Sequence, residues 1–163
     1  MNADISSRTC NGCTACCFTH AVAGLKRTGE WCRHCDIGGG CRIYLGRPGQ
    51  CGEFSCLWLQ GGWGDEGDRP DRLKVVMGGV AVDVGDRRLR LVQFIETEPG
   101  AMDQERVTAL IAMFKAKGFG ICVARLLSSG GYSDASYEIP ATLLAEHELA
   151  LFKEALGKLD PFG

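Results

Sequence analysis

Four cysteines fall within eight residues in the stretch TCNGCTACCF: Cys10, Cys13, Cys16 and Cys17. Five more follow by residue 56, namely Cys32, Cys35, Cys41, Cys51 and Cys56. The remaining two thirds of the chain hold only Cys122. The spacing is C-x2-C-x2-C-C, fourteen residues, C-x2-C, then C-x5-C-x9-C-x4-C. Two cysteines on a short turn can aim both thiolates at one ion. Structural zinc needs four such ligands in a tetrahedron at about 2.3 Å. Cubane iron–sulfur clusters also use C-x2-C-x2-C runs, with a fourth cysteine from elsewhere. Cys10, Cys13 and Cys16 fit that second template. Adjacent side chains diverge, so Cys16 and Cys17 are expected to serve different roles. Cys16 repeats the spacing of Cys13 and is expected to join Cys10 and Cys13. Cys17 is then expected to meet ligands from the Cys35 to Cys56 stretch. Eight thiolates make two four-cysteine sites, which leaves one of the nine clustered cysteines over. The bland alternative is a set of buried thiols or disulfides.

Other groups near the cluster carry weaker signals. His34, in WCRHC, could supply nitrogen but reads more simply as an exposed loop histidine. His20 is weaker still, and His147 reads as a helix boundary residue. Arg33, Arg42 and Arg47 lie among the ligands, where guanidinium groups can offset the negative charge of a tetrathiolate zinc site. Phe54 and Trp58 are expected to pack over the site. Cys122, inside FGICVARLL, reads as a small buried hydrophobe.

The elements that would position these groups divide the chain in two. Residues 1–59 form a cysteine-rich module with no sustained helical or strand period and with turn signals such as DIGGGC and GRPGQC. Residues 60–72, QGGWGDEGDRPDR, read as a loop or linker. From Leu73 to residue 163 the pattern becomes periodic. LKVVMGGVAVDV and RLRLVQFIE are expected to form a hairpin across GDR. MDQERVTALIAMFKAKG places Val107, Leu110, Ile111 and Phe114 at helical spacing, with Gly118 as its stop. FGICVARLL is another strand, SSGGYSDASYE a loop, and PATLLAEHELALFKEALGKL a helix opening at Pro140 with Leu143, Leu144, His147, Leu151 and Leu156 near helical spacing. The fold class expected is α+β: an irregular, metal-stapled cysteine-rich module packed with a small β-β-α-β-α layer.

Bulk properties narrow the function classes. The 163 residues carry a net charge of -2. Up to residue 60 six Lys/Arg face four Asp/Glu, and beyond it twelve face sixteen. Neither half reads as a nucleic-acid arm. MNADISSRTC has neither the basic start nor the apolar core of a secretory signal. The longest apolar runs are too short to span a bilayer, so no membrane partner is expected. The cytoplasm is the default compartment, and clustered thiols there favour metal or redox roles over disulfides.

CNGCTACC followed by GCRIYLGRPGQCGEFSC resembles the YkgJ-like cysteine-cluster family, described as a zinc- or iron-chelating domain with a CxxCxxCC signature. The resemblance rests on Cys10, Cys13, Cys16, Cys17, Cys35, Cys41, Ile43-Tyr44, Arg47-Pro48, Cys51 and Phe54, and covers about residues 10–58. The ligand set expected from the spacing is Cys10, Cys13, Cys16, Cys17, Cys35, Cys41, Cys51 and Cys56. Cys32 and His34 fall outside the pattern, so Cys32 is nominated as the surplus thiol. The same motif occurs in flagellin lysine N-methylases, which look like iron–sulfur proteins, but no methyl-donor signature is visible here.

The function expected is a cytosolic metal-binding protein that chelates zinc, placed narrowly ahead of iron or an iron–sulfur cluster. The periodic part would present a surface to a protein partner. The alternatives are an iron–sulfur protein with a redox or auxiliary role in a modification enzyme, and a zinc-ribbon-like nucleic-acid or protein interaction module. Lys26, Arg27 and Arg33 near Trp31 are the thin basic and aromatic face that the ribbon reading would use. A hydrolase or transferase is disfavoured, since no G-x-S-x-G, H-E-x-x-H or P-loop is present. Asp83, Asp86, Glu96 and Glu98 read as carboxylates facing solvent.

Overall fold

The computed structural model describes residues 8–158. The start of the stretch read above for a leader, residues 1–7, lies outside the described residues, as do residues 159–163. Helices and strands are both present, consistent with the α+β class. The cysteine-rich region holds one-turn helices α1 (Cys16–Thr19), α2 (Gly49–Glu53) and α3 (Leu57–Gln60), and a two-residue ladder of β1 (Cys35–Asp36) with β2 (Gly40–Cys41). A fourth short helix, α4 (Pro70–Leu73), leads into the sheet. No described helix is long and apolar enough to cross a membrane.

The sheet follows the periodicity. Strands β3 (Val75–Val84) and β4 (Arg87–Glu96) pair antiparallel across Gly85-Asp86, and Gly85 takes the positive φ of 62° that so tight a turn requires. Helix α5 (Glu105–Ala116) then crosses to β5 (Gly120–Ala124), which lies parallel to β4. A further strand, β6 (Ser136–Glu138), pairs antiparallel with β5 and gives the order β3-β4-β5-β6. The stretch SSGGYSDASYE, expected as a loop, therefore contributes an edge strand. Its few apolar residues left no alternation to read.

Period two sends alternate β3 and β4 residues to opposite faces. Val75, Met77, Val92 and Phe94 meet Val107, Leu110 and Phe114 of α5. Val82, Val84, Leu89 and Leu91 meet Phe152 of α6 (Leu149–Gly157). Helix α6 begins nine residues later than expected, because Pro140 opens a turn closed by the Leu143 amide and Glu146–Glu148 forms a 3-10 segment. That delay changes the face: Phe152 is buried, whereas Leu151 and His147 are exposed.

Gln60–Arg72, expected as a linker or exposed loop, is anchored to both halves. Trp63 packs edge-on against Phe114, and its indole donates to the Leu57 carbonyl at 3.1 Å. Asp68 is 1 % exposed and takes a two-pronged contact from Arg106 on α5 at 2.6 and 2.5 Å. Glycine content gave the appearance of a linker, but these anchors are single residues without a period. Burial alone would push the Asp68 carboxyl up. The Arg106 guanidinium and the Asp65 amide outweigh it and hold the carboxyl below its ordinary value. A depressed folded pKa means that the stabilisation is present above the ordinary carboxylate range and is lost as pH falls through the folded value. Asp68→Asn should therefore cost about 2 kcal/mol in urea at pH 7, with the gap to wild type shrinking in acid. An unchanged gap across that pH range would refute the ion pair's contribution.

The cysteine module straddles the β3 edge. Phe54 lies over Gly78, where an added Cβ would stand 3.5 Å from its ring. Leu57 and Trp63 join the cluster on the α5 side. Arg8 donates to the carbonyls of Trp58 at 2.7 Å and Gly64 at 2.8 Å, tying the start of the module to its end.

Candidate functional site

Two C-x2-C turns frame the site. The Cys13 amide donates to the Cys10 carbonyl, and the Cys35 amide to the Cys32 carbonyl, each at 2.9 Å. Cys16 and Cys17 open α1, and the Cys32 amide donates to the Cys17 carbonyl at 3.2 Å, which docks the second turn against the first helix. Cys41 lies opposite Cys35 in the β1–β2 ladder. Cys51 sits within α2, and Cys56 immediately precedes α3.

These elements enclose a cleft of ≈ 580 Å³. Eight of the ten cysteines line it: Cys10, Cys13, Cys16, Cys17, Cys32, Cys41, Cys51 and Cys56. Its apolar wall includes Leu25, Ile43, Phe54, Leu59 and Val76. Cys32, nominated as surplus, is on the wall. Cys35 is not, but it shares a thiol hydrogen bond with Cys17, which also bonds to Cys16. None of the ten cysteines is disulfide-bonded. Cys122 is buried, as its strand position suggested, and hydrogen-bonds to Tyr137.

Electrostatic neighbours link the thiols across the cleft, Cys10 with Cys17 among them. Cys56 lies within reach of the charges of Cys10 and Cys13. Cys51 lies within reach of Cys17, Cys32 and Cys41, and Cys35 within reach of Cys17 and Cys32. Burial raises Cys10, Cys13 and Cys51 above their ordinary values, and pushes Cys56 up to about 11 and Cys35 up to about 12. Cys17 is raised chiefly by its hydrogen bond with Cys16 and then by burial. Backbone donors act the other way at two positions. The amides of Ala15 and Asp71 reach the Cys13 sulfur, and those of Leu59 and Trp58 reach the Cys56 sulfur at the start of α3. Each stabilises a thiolate at that position. A cation that binds these sulfurs must displace their protons, so its affinity falls as pH drops.

Three nitrogen groups share the cleft. Arg47 lines it, stacks 4.2 Å from the Tyr44 ring centroid and favours the Cys10 thiolate. Lys26 also lines it, within electrostatic reach of Cys17, Cys32, Cys16 and Cys51, and burial lowers its pKa. His20 stacks on Phe54 with ring centroids 3.8 Å apart and pairs through Nδ1 with Thr19 Oγ1 at 2.8 Å. Burial, with the Lys26 charge, lowers its pKa to about 4 and keeps the imidazole neutral. His20 and Lys26 were the functional candidates least visible in sequence. The four-residue offset of His20 from Cys16 was the one usable signal for the former.

Several expectations shift. Arg42 donates to the Arg33 carbonyl and the Arg33 side chain to His34, and both arginines are exposed rather than set on sulfur. His34 accepts from Arg33 through Nε2 at 3.4 Å, while its amide donates to the Cys32 sulfur at 3.5 Å. Trp58 is buried outside the cleft, beneath Arg8, with its indole donating to Asp65. Of the basic and aromatic residues weighed for nucleic acid, Lys26 faces thiols and Trp31 packs on Phe18. Glu96 is 1 % exposed rather than solvent-facing. Among the described residues, no three His, Cys, Asp or Glu side chains already stand in the arrangement of a coordination shell. Comparison with known protein families, with curated proteins and with solved structures finds no match to this chain.

Proposed function

We propose that this chain is a cytoplasmic metal-binding protein whose thiols chelate zinc, as its resemblance to the YkgJ-like cysteine-cluster family implies. The observation that carries the reading is the convergence of eight cysteines from scattered sequence positions on one cleft. Soft sulfur donors suit zinc, copper(I) and iron–sulfur groups and exclude magnesium or calcium as the natural cargo. The donors fit the group in three respects: the two C-x2-C turns are formed, backbone amides support the Cys13 and Cys56 sulfurs, and Lys26 and Arg47 offset thiolate charge. A shell of four thiolates leaves no position for a reacting water, so the role is structural or storage-like, and the sheet layer would meet a protein partner.

The second reading, an iron–sulfur cluster, is favoured by the size of the cleft. A lone ion with four touching sulfurs fills far less than ≈ 580 Å³. Anaerobic purification followed by metal analysis separates the two. The expected result is a colourless protein with about two zinc ions per chain. A brown protein containing iron and acid-labile sulfide would shift the assignment to the second reading. Absence of any stoichiometric metal would reject both.

A further inference from the structure

We infer that Cys32 is a metal ligand, forming a four-sulfur site with Cys17, Cys35 and Cys51, and that Lys26 is the counter-charge of that site. The inference rests on the metal-binding reading above and corrects its ligand set.

Cys32 and Cys35 form a closed C-x2-C turn, and the Cys32 amide pins that turn to the Cys17 carbonyl. A paired turn of this kind is the commonest unit of a four-cysteine site, and one of its members is seldom idle when the other binds. The Cys32 side chain faces the same cleft as Cys17 and Cys51. The His34 amide donates to its sulfur at 3.5 Å, as backbone amides do to the Cys13 and Cys56 sulfurs.

Cys17 and Cys32 are shared neighbours: Cys35 and Cys51 each lie within electrostatic reach of both, which joins the four in a ring. Cys41 neighbours Cys51 and pairs with Cys35 in the ladder, but it belongs to no C-x2-C turn. Cys56 has Cys10 and Cys13 as its neighbours instead, and Cys10 also lies within reach of Cys17. Lys26 lies within electrostatic reach of Cys17, Cys32, Cys16 and Cys51, three of which are ring members, and its ammonium donates to the Phe18 carbonyl at 3.4 Å. A divalent ion with four thiolates carries about two negative charges, and a half-buried ammonium beside it offsets one of them.

Native mass spectrometry of the anaerobically purified chain tests this, because it reports both the number and the mass of bound groups. Wild type should carry two groups, Cys32→Ser one, and Cys41→Ser two. Amide exchange in β4 checks that each variant keeps the sheet layer. If Cys32→Ser still carries two groups, or if Cys41→Ser loses one that Cys32→Ser keeps, the assignment of Cys32 is wrong while the metal-binding reading stands. A wild type with no bound group sinks that reading itself. Lys26→Met should keep both groups but release one at about tenfold lower chelator concentration. Unchanged release would remove Lys26 from the site.

Discussion

Stripped of metal under reducing conditions, the chain should lose amide protection from Cys10 to Cys51 while β3, β4, α5 and β5 keep theirs. The two regions differ in what holds them. The sheet layer buries Val75, Met77, Val92, Phe94, Val107 and Ile121 at or near complete exclusion from solvent. Between Cys10 and Cys51 the buried apolar residues are Ala15 and Val22, with Thr14 and Thr19 beside them. Its backbone bonds are mostly turn closures, such as Cys13 to Cys10 and Gly39 to Asp36, rather than ladders. At about 25 cal/mol per Å² of apolar surface removed from water, that much burial does not offset the conformational entropy of some forty ordered residues at about 1–2 kcal/mol each. Metal ligation contributes folding free energy directly to modules of this kind, because the site does not exist in the unfolded chain. Hydrogen exchange with and without chelator, read by mass spectrometry, gives the result. Equal protection of both regions after metal removal would falsify the stapling of the module. The Trp58–Trp63 segment should stay protected, since it docks on the α5 side of the sheet through Trp63 and Leu57.

What was legible in the sequence follows the range of the forces involved. The β3–β4 hairpin and α5 declare themselves because one local period sets one buried face, and Val107, Leu110 and Phe114 sit where that period places them. The late start of α6 was hidden because leucines at Leu143 and Leu144 continue the apparent period through a turn and a 3-10 segment. The clustering of the thiols could be read from spacing alone. Which thiols neighbour one another could not, since Cys32 meets Cys17 through a backbone contact across fourteen intervening residues. Glu96 was read as a surface carboxylate, and Asp68 lay in a segment read as a loop or linker, for the same reason: nothing local announces a distant arginine or a pair of distant amides.

Glu96→Ala should be among the most destabilising single substitutions in the sheet layer, at about 3–5 kcal/mol. Glu96 ends β4, and its carboxylate is 1 % exposed. One oxygen accepts from the Met102 amide and the other from the Leu126 amide, each at 2.7 Å. The two donors come from the segment before α5 and the segment after β5, so one side chain ties both ends of the crossover. Removing it leaves two buried N–H groups without acceptors, and each costs about 1–3 kcal/mol. Glu96→Gln should recover only part of the loss, because its NH₂ faces a donor. Glu98→Gln, on an exposed carboxylate paired with Lys74 at 3.1 Å, should change stability by about 0.5 kcal/mol or less. Urea titration of the three variants gives the ranking, and a loss below about 1 kcal/mol for Glu96→Ala would contradict the clamp. The effect should reach the cysteine module. The Tyr132 hydroxyl donates to the Glu96 carbonyl at 2.6 Å, and the Tyr132 ring packs on Gly29, where an added Cβ would stand 3.3 Å from it. Gly29 in turn donates to the Phe18 carbonyl beside α1. Loosening the end of β4 should therefore raise amide exchange at Gly29 before it touches Cys51 or Cys56, which are held from the β3 edge through Phe54 and Leu57.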